Sequence, residues 1–259
     1  MKKPVALITG ASSGIGRELA KVHASKGGDL VIVARREERL NELKEELESN
    51  HGCHVAVLAK DLSVRKSRKE IFYYTESKGI EVDYLINNAG FGALGPYHEQ
   101  DWQRYQNMIE VNITALSELT WLYLKPMTKR NSGKIMNVSS VAGFTPGPRH
   151  AVYFATKAYV TSLSEALAEE LRNTDITVTA LCPGFTDTEF AEAGNAQAAR
   201  GMKFTTTPDK VAEYGYRAMI KGKTVAVEGI INKFLVAVGI RTMPRKLITK
   251  VSRFLMEKG

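Results

Sequence analysis

The chain has 259 residues, 44% hydrophobic and 25% charged, with a formal charge of +8. That balance excludes a disordered or collagen-like chain. Two cysteines, Cys53 and Cys182, exclude a disulfide framework, so a reducing compartment such as the cytoplasm is expected. The charge is uneven: the first 220 residues carry 27 basic and 26 acidic side chains, the last 39 carry nine and two. No basic groove for nucleic acid is therefore expected on the body of the protein.

Lys2, Lys3 and Pro4 lead into a short apolar run, and no secretory leader is expected there. Apolar runs at 5–8, 30–34, 54–59, 83–86, 134–138 and 176–181 are rich in Val and Ile and read as buried strands. Amphipathic stretches at 15–26, 37–49, 64–77, 102–125, 152–171 and 208–220 read as helices between them. A seventh strand is expected at 224–227. This alternation predicts an α/β, doubly wound parallel sheet of seven strands with helices on both faces. No repeat or linker divides it. We expect one catalytic domain over 1–228 and an amphipathic extension over 229–259.

The first strand runs into Thr9, Gly10, Ala11, Ser12, Ser13, Gly14, Ile15 and Gly16, which open the first helix. Glycines permit a tight turn, and a helix N-terminus offers free N–H groups to a pyrophosphate. The spacing is G-x3-G-x-G rather than the general G-x-G-x-x-G. The second strand ends in Arg35 and Arg36, where an acid would select a ribose hydroxyl. Two guanidiniums suit a 2′-phosphate dianion. The alternative is that they open a solvated helix together with Arg39.

Tyr153 and Lys157 are spaced by four, which places them on one helix face. An ammonium beside a phenol favours phenolate and is expected to draw the tyrosine pKa down. Ser140 follows the strand ending in Ser139, at the strand end where open-sheet sites form. Ser139 is its rival for bonding a substrate carbonyl. No cluster has metal-ligand spacing.

These residues together resemble the short-chain dehydrogenase/reductases over residues 4–228. Four motifs match in order: Gly10 to Gly16; Asn87, Asn88, Ala89 and Gly90; Ser140 with Tyr153 and Lys157; Pro183 and Gly184. The resemblance implies a Rossmann-like fold and NADPH as cofactor. It implies that Asn112, Ser140, Tyr153 and Lys157 form a catalytic tetrad, Ser140 being preferred because the family places a serine 13 residues before the tyrosine. It implies cofactor contacts from Gly10, Ser12, Ser13, Gly14, Ile15, Gly16, Arg35, Arg36, Asp61, Leu62, Asn88, Ala89, Gly90, Pro183, Gly184, Thr186 and Thr188, besides Tyr153 and Lys157. Tyr153 would be the proton donor, Lys157 would bond the nicotinamide ribose and Asn112 would hold a relay water. The implied activity is reduction of a small-molecule carbonyl: an apolar ketone, an aldehyde or a 3-oxoacyl compound. Phe91, Phe144, Phe185 and Phe190 near the site loops favour an apolar one. A homodimer or homotetramer is likewise implied. The alternative is a non-catalytic NADP(H)-binding regulatory or membrane-surface protein.

His150 reads as a loop histidine in preference to a substrate contact, Cys182 as a small buried hydrophobe and 194–202 as a substrate lid or a simple connecting loop. In the extension, Leu247, Ile248, Val251, Phe254 and Leu255 recur at helical spacing, with Arg245, Lys246, Lys250 and Arg253 opposite. Such a helix suits peripheral contact with a membrane interface. It suits equally a stripe packed on the protein's own body or on a partner subunit.

Overall fold

A computed structural model describes residues 3–189, 205–239 and 242–258. The strands are β1 (Val5–Thr9), β2 (Asp29–Ala34), β3 (Val55–Ala59), β4 (Tyr84–Asn87), β5 (Gly133–Val138), β6 (Ile176–Cys182) and β7 (Val225–Val227). The helices are α1 (Gly14–Ser25), α2 (Glu37–His51), α3 (Arg65–Ser77), α4 (Trp102–Ile109), α5 (Leu116–Arg130), α6 (Ala151–Glu170), α7 (Pro208–Ile220), α8 (Ile230–Phe234) and α9 (Arg245–Lys258).

The strands form one seven-stranded sheet in the order β3-β2-β1-β4-β5-β6-β7. Every pairing is parallel. Side chains alternate across it because successive residues of a strand point to opposite faces. Ala6, Ile8, Leu30 and Ile32 pack with α1, α2 and α7 on one face. Leu7, Val31 and Val33 pack with α3 and α5 on the other. Both faces are covered, which is why the strands read as continuous apolar runs. The chain order reverses between β1 and β4, and a crevice forms beyond their C-terminal ends.

The helix expected over 102–125 is three pieces. Between α4 and α5 the coil widens into a π-type turn over Glu110–Ala115. Arg68 of α3 holds it, with Nη1 2.9 Å from Glu110 and Nε 2.8 Å from Glu118. Pro126 does not end α5, which continues to Arg130 and closes on Asn131 at φ 48°. Burial of Met127 just beyond the proline offsets the one hydrogen bond lost there. Residues 194–202, expected as a lid or a connecting loop, lie outside the described residues with Phe190 and Ile240, as does the side chain of Leu255.

Candidate active site

The glycine turn is pressed against the loop after β4. Gly10 has φ +69°, and a Cβ there would lie 2.8 Å from Asn88 Nδ2 and 2.9 Å from Ala89 Cα. At Gly16 a Cβ would meet Asn88 Nδ2 at 2.4 Å. Only glycine fits either place. Asn88 Nδ2 donates to the Thr9 carbonyl at 3.0 Å, and Thr9 Oγ1 accepts from the N–H groups of Asn88 and Ala89. Behind them Asn87 Nδ2 donates to Asn137 Oδ1 at 2.9 Å and ties β4 to β5.

Helix α1 opens beside this turn. Ser13 is its N-cap but makes no side-chain cap bond, and the first turn, with Ile15, holds no acid. The helix-end N–H groups are thus left for an anion. Ser12 and Ser13 instead accept from Arg36, whose Nη2 lies 3.1 and 2.9 Å from their Oγ atoms. Arg35 is exposed beside it. Arg36 Nη1 also meets Glu189 at 2.8 Å, and Arg39 bonds the other oxygen of the same carboxylate. The two guanidiniums, Arg39 first, hold the Glu189 carboxyl down at about 2. A pair of cations therefore converges on one anion over the glycine turn.

Asp61 lies just past β3 and accepts from the N–H and hydroxyl of Ser63 at 2.9 and 2.8 Å, while Leu62 is buried. The Pro183 carbonyl accepts from Val141 N–H at 3.0 Å. Gly184 sits under Asn232, and Thr186 Oγ1 donates to the Gly184 carbonyl. Thr188 stands over the start of α1: a Cβ on Gly14 would lie 3.1 Å from its Cγ2.

The catalytic candidates meet at the C-terminal end of β5. Tyr153 and Lys157 lie one turn apart in α6, with Lys157 Nζ 5.7 Å from the Tyr153 ring centre. Lys157 Nζ donates to the Val138 carbonyl at 2.7 Å. Ser140 hydrogen-bonds Tyr153. Its neighbour Ser139 turns inward, donating to the Lys157 carbonyl at 2.8 Å and meeting Thr161 at 2.7 Å. Asn112 lies on the π-type turn. Its Nδ2 donates to the Phe91 carbonyl and to Thr156 Oγ1, both at 3.0 Å, and its Oδ1 accepts from Phe91 N–H. Gly90 lies between: a Cβ there would be 3.0 Å from Asn112 Oδ1 and 3.6 Å from Lys157 Nζ.

The expected depression of the Tyr153 pKa is not found. Burial pushes the phenol up to about 12, the Ser140 hydrogen bond pulling the other way. Burial draws Lys157 down to about 8. Removal of water is the leading cause of both shifts, and each group favours its neutral form more than it does in water.

His150 lies in the loop before α6, as expected, but it is not exposed. It is buried, and its ring stacks on Tyr153 at 4.7 Å between centres. Thr156 and Glu189 went unrecognised, and Arg39, expected only as part of a solvated helix, pairs with Glu189. Thr156 alone had a local signal, standing one residue before Lys157. Cys182 is fully buried, as expected of a small buried hydrophobe, and burial pushes its thiol up to about 12.

Fold and site together define an oxidoreductase of the dinucleotide-binding α/β class. The model of the short chain dehydrogenase family matches residues 4–199. The chain is 33% identical over 192 residues to an uncharacterized oxidoreductase of Staphylococcus epidermidis, covering 74% of this chain and 82% of that one. It is 37% identical over 213 residues to sulfoacetaldehyde reductase 2 of Chromohalobacter salexigens, covering 81% and 84%. A short-chain dehydrogenase from Sphingobium yanoikuyae, solved in complex with NADPH, superposes with a TM-score of 0.84 at 30% identity, covering 92% and 93%. The chain belongs to the short-chain dehydrogenase family.

Proposed function

We propose that the protein is an NADPH-dependent carbonyl reductase acting on an apolar ketone, aldehyde or 3-oxoacyl compound. The observation that carries this reading is the meeting of Ser140, Tyr153 and Lys157 at the end of β5. The uncapped start of α1 fits a pyrophosphate, held by Gly10, Ser12, Ser13, Gly14, Ile15 and Gly16. The convergence of Arg36 and Arg39 on one carboxylate fits a 2′-phosphate, with Arg35 beside them. Asp61 and Leu62 would flank the adenine, with Asn88, Ala89 and Gly90 behind the ribose. Pro183, Gly184, Thr186 and Thr188 would border the nicotinamide.

When bound, NADPH supplies the hydride that a carbonyl carbon receives. Tyr153 protonates the oxygen; a phenol held near 12 carries its proton throughout the neutral range. Ser140 orients and polarises that oxygen. Lys157 would bond the ribose of a bound NADPH and would stabilise the phenolate left on Tyr153. Both amide protons of Asn112 are already used, so a relay water there would bind to one of its oxygens. Phe91, Val152 and Tyr153 pack on one apolar cluster of Ala93, Tyr105 and Met108, which favours an apolar substrate. Trp121 of α5 and Tyr159 of α6 are exposed and offer a face for a homodimer or homotetramer.

The test is a panel of apolar carbonyl compounds assayed with NADPH and NADH. Wild type should consume NADPH preferentially. Arg36→Ala should raise the KM for NADPH about tenfold or more, as loss of a charge-assisted bond predicts, and leave NADH nearly unchanged. Equal small effects on both cofactors would contradict the assignment of the phosphate site.

A further inference from the structure

We infer that the C-terminal segment docks this protein on an anionic lipid surface, beside the catalytic cleft. Two exposed apolar faces carry the inference. On α8 and its continuation, Ile230 (85% exposed), Ile231, Phe234 (64%), Leu235 and Val238 recur at helical spacing and all face solvent. On α9, the stripe expected to form one face is divided. Ile248 and Ser252 turn inward and are buried, while Leu247, Val251 and Phe254 (54%) point out. The body therefore buries Ile248 and Ser252 on one edge of that helix and leaves Leu247 and Val251 nearly half exposed on the other. Solvent-facing aromatic and aliphatic rows of this kind mark interaction surfaces.

Charge selects the occupant. Between Glu228 and Glu257 the chain has no acid and six bases: Lys233, Arg241, Arg245, Lys246, Lys250 and Arg253. Lys250 lies within the outward row of α9, and Lys246 and Arg253 are exposed beside it. A second copy placed on the same face by a two-fold axis would oppose cation to cation. Exposed apolar side chains ringed by lysine and arginine instead match a bilayer interface with anionic headgroups.

The position of α8 gives the contact a consequence. Asn232 packs over Gly184, and Val236 packs against a cluster containing Val141, Phe144 and Cys182. The apolar face thus stands next to the loops that follow β5 and β6. The substrate would then be a carbonyl compound that partitions into lipid. That consequence rests on the reductase reading; the docking does not.

Flotation of the full-length protein tests it, using vesicles of phosphatidylcholine alone or mixed with phosphatidylglycerol. Wild type should float only with phosphatidylglycerol present and should be released by high salt. Leu247→Ser with Phe254→Ser, and separately Lys246→Glu with Lys250→Glu, should each cut the floated fraction severalfold while the melting temperature holds. Wild type that floats with neither vesicle overturns the inference, and so do variants that float as it does. Variants that change sedimentation instead of flotation would make the face a contact between protein copies. Failure of carbonyl turnover would overturn the reductase reading and leave the flotation result unaffected.

Discussion

His150 lies against the phenol ring on which the proposed proton transfer depends. Burial draws its pKa from 6.5 to about 4, so the folded protein keeps this ring neutral where the unfolded chain would charge it. Its stabilising contribution is therefore full above about pH 6.5 and is lost as pH falls towards about 4. The shift corresponds to about 3 kcal/mol. His23 is buried against Tyr216 and is displaced in the same direction, again by burial. Urea unfolding between neutral pH and about pH 4 should show wild type losing stability more steeply than His150→Phe, which keeps an aromatic ring and removes the titration. Parallel pH profiles would contradict this account of the group. Ser140, Tyr153 and Lys157 were legible because they form a spaced motif. Glu189 was not, because its bonds to Arg36 and Arg39 cross about 150 residues, and no local pattern records a partner so distant.

The strands were legible element by element. Each is a short Val- and Ile-rich run buried on both faces, and such runs have few other uses in a chain of this composition. The π-type turn was not legible. A 3.6-residue period continues on either side of Glu110–Ala115, and the extra residue leaves almost no mark on it. The same turn carries Asn112, so this irregularity positions part of the proposed site. Arg68 sets it in place: its side chain is 2% exposed and it meets Glu110 and Glu118 from either side of the turn. Arg68→Met would leave two carboxylates without their cation. We expect a loss of about 3 kcal/mol in unfolding free energy, at the lower end for a broken buried pair because both carboxylates retain some contact with water. We expect kcat to fall with KM for the cofactor little changed, since Asn112 would shift and the glycine turn would not. Loss of stability with an unchanged kcat would confine Arg68 to a structural role.

Across the whole molecule, the formal charge of +8 divides by task. The body is close to neutral, and its arginine pair faces one anion at the mouth of the crevice. The excess lies in the last 39 residues, where a helical pattern was legible but its orientation was not. Sequence spacing alone cannot say which edge of an apolar stripe meets the body, and the division between Ile248 and Leu247 depends on what α9 packs against. The central claim concerns the body: we propose that the Tyr153 phenol, not the tail, performs the proton transfer. Tyr153→Phe tests it most directly, with NADPH binding and carbonyl reduction measured on the same preparation. The variant should bind NADPH as wild type does and lose between about a hundredfold and ten-thousandfold in kcat, the usual contribution of a positioned general acid. A variant that reduces carbonyl compounds at the wild-type rate would contradict the account.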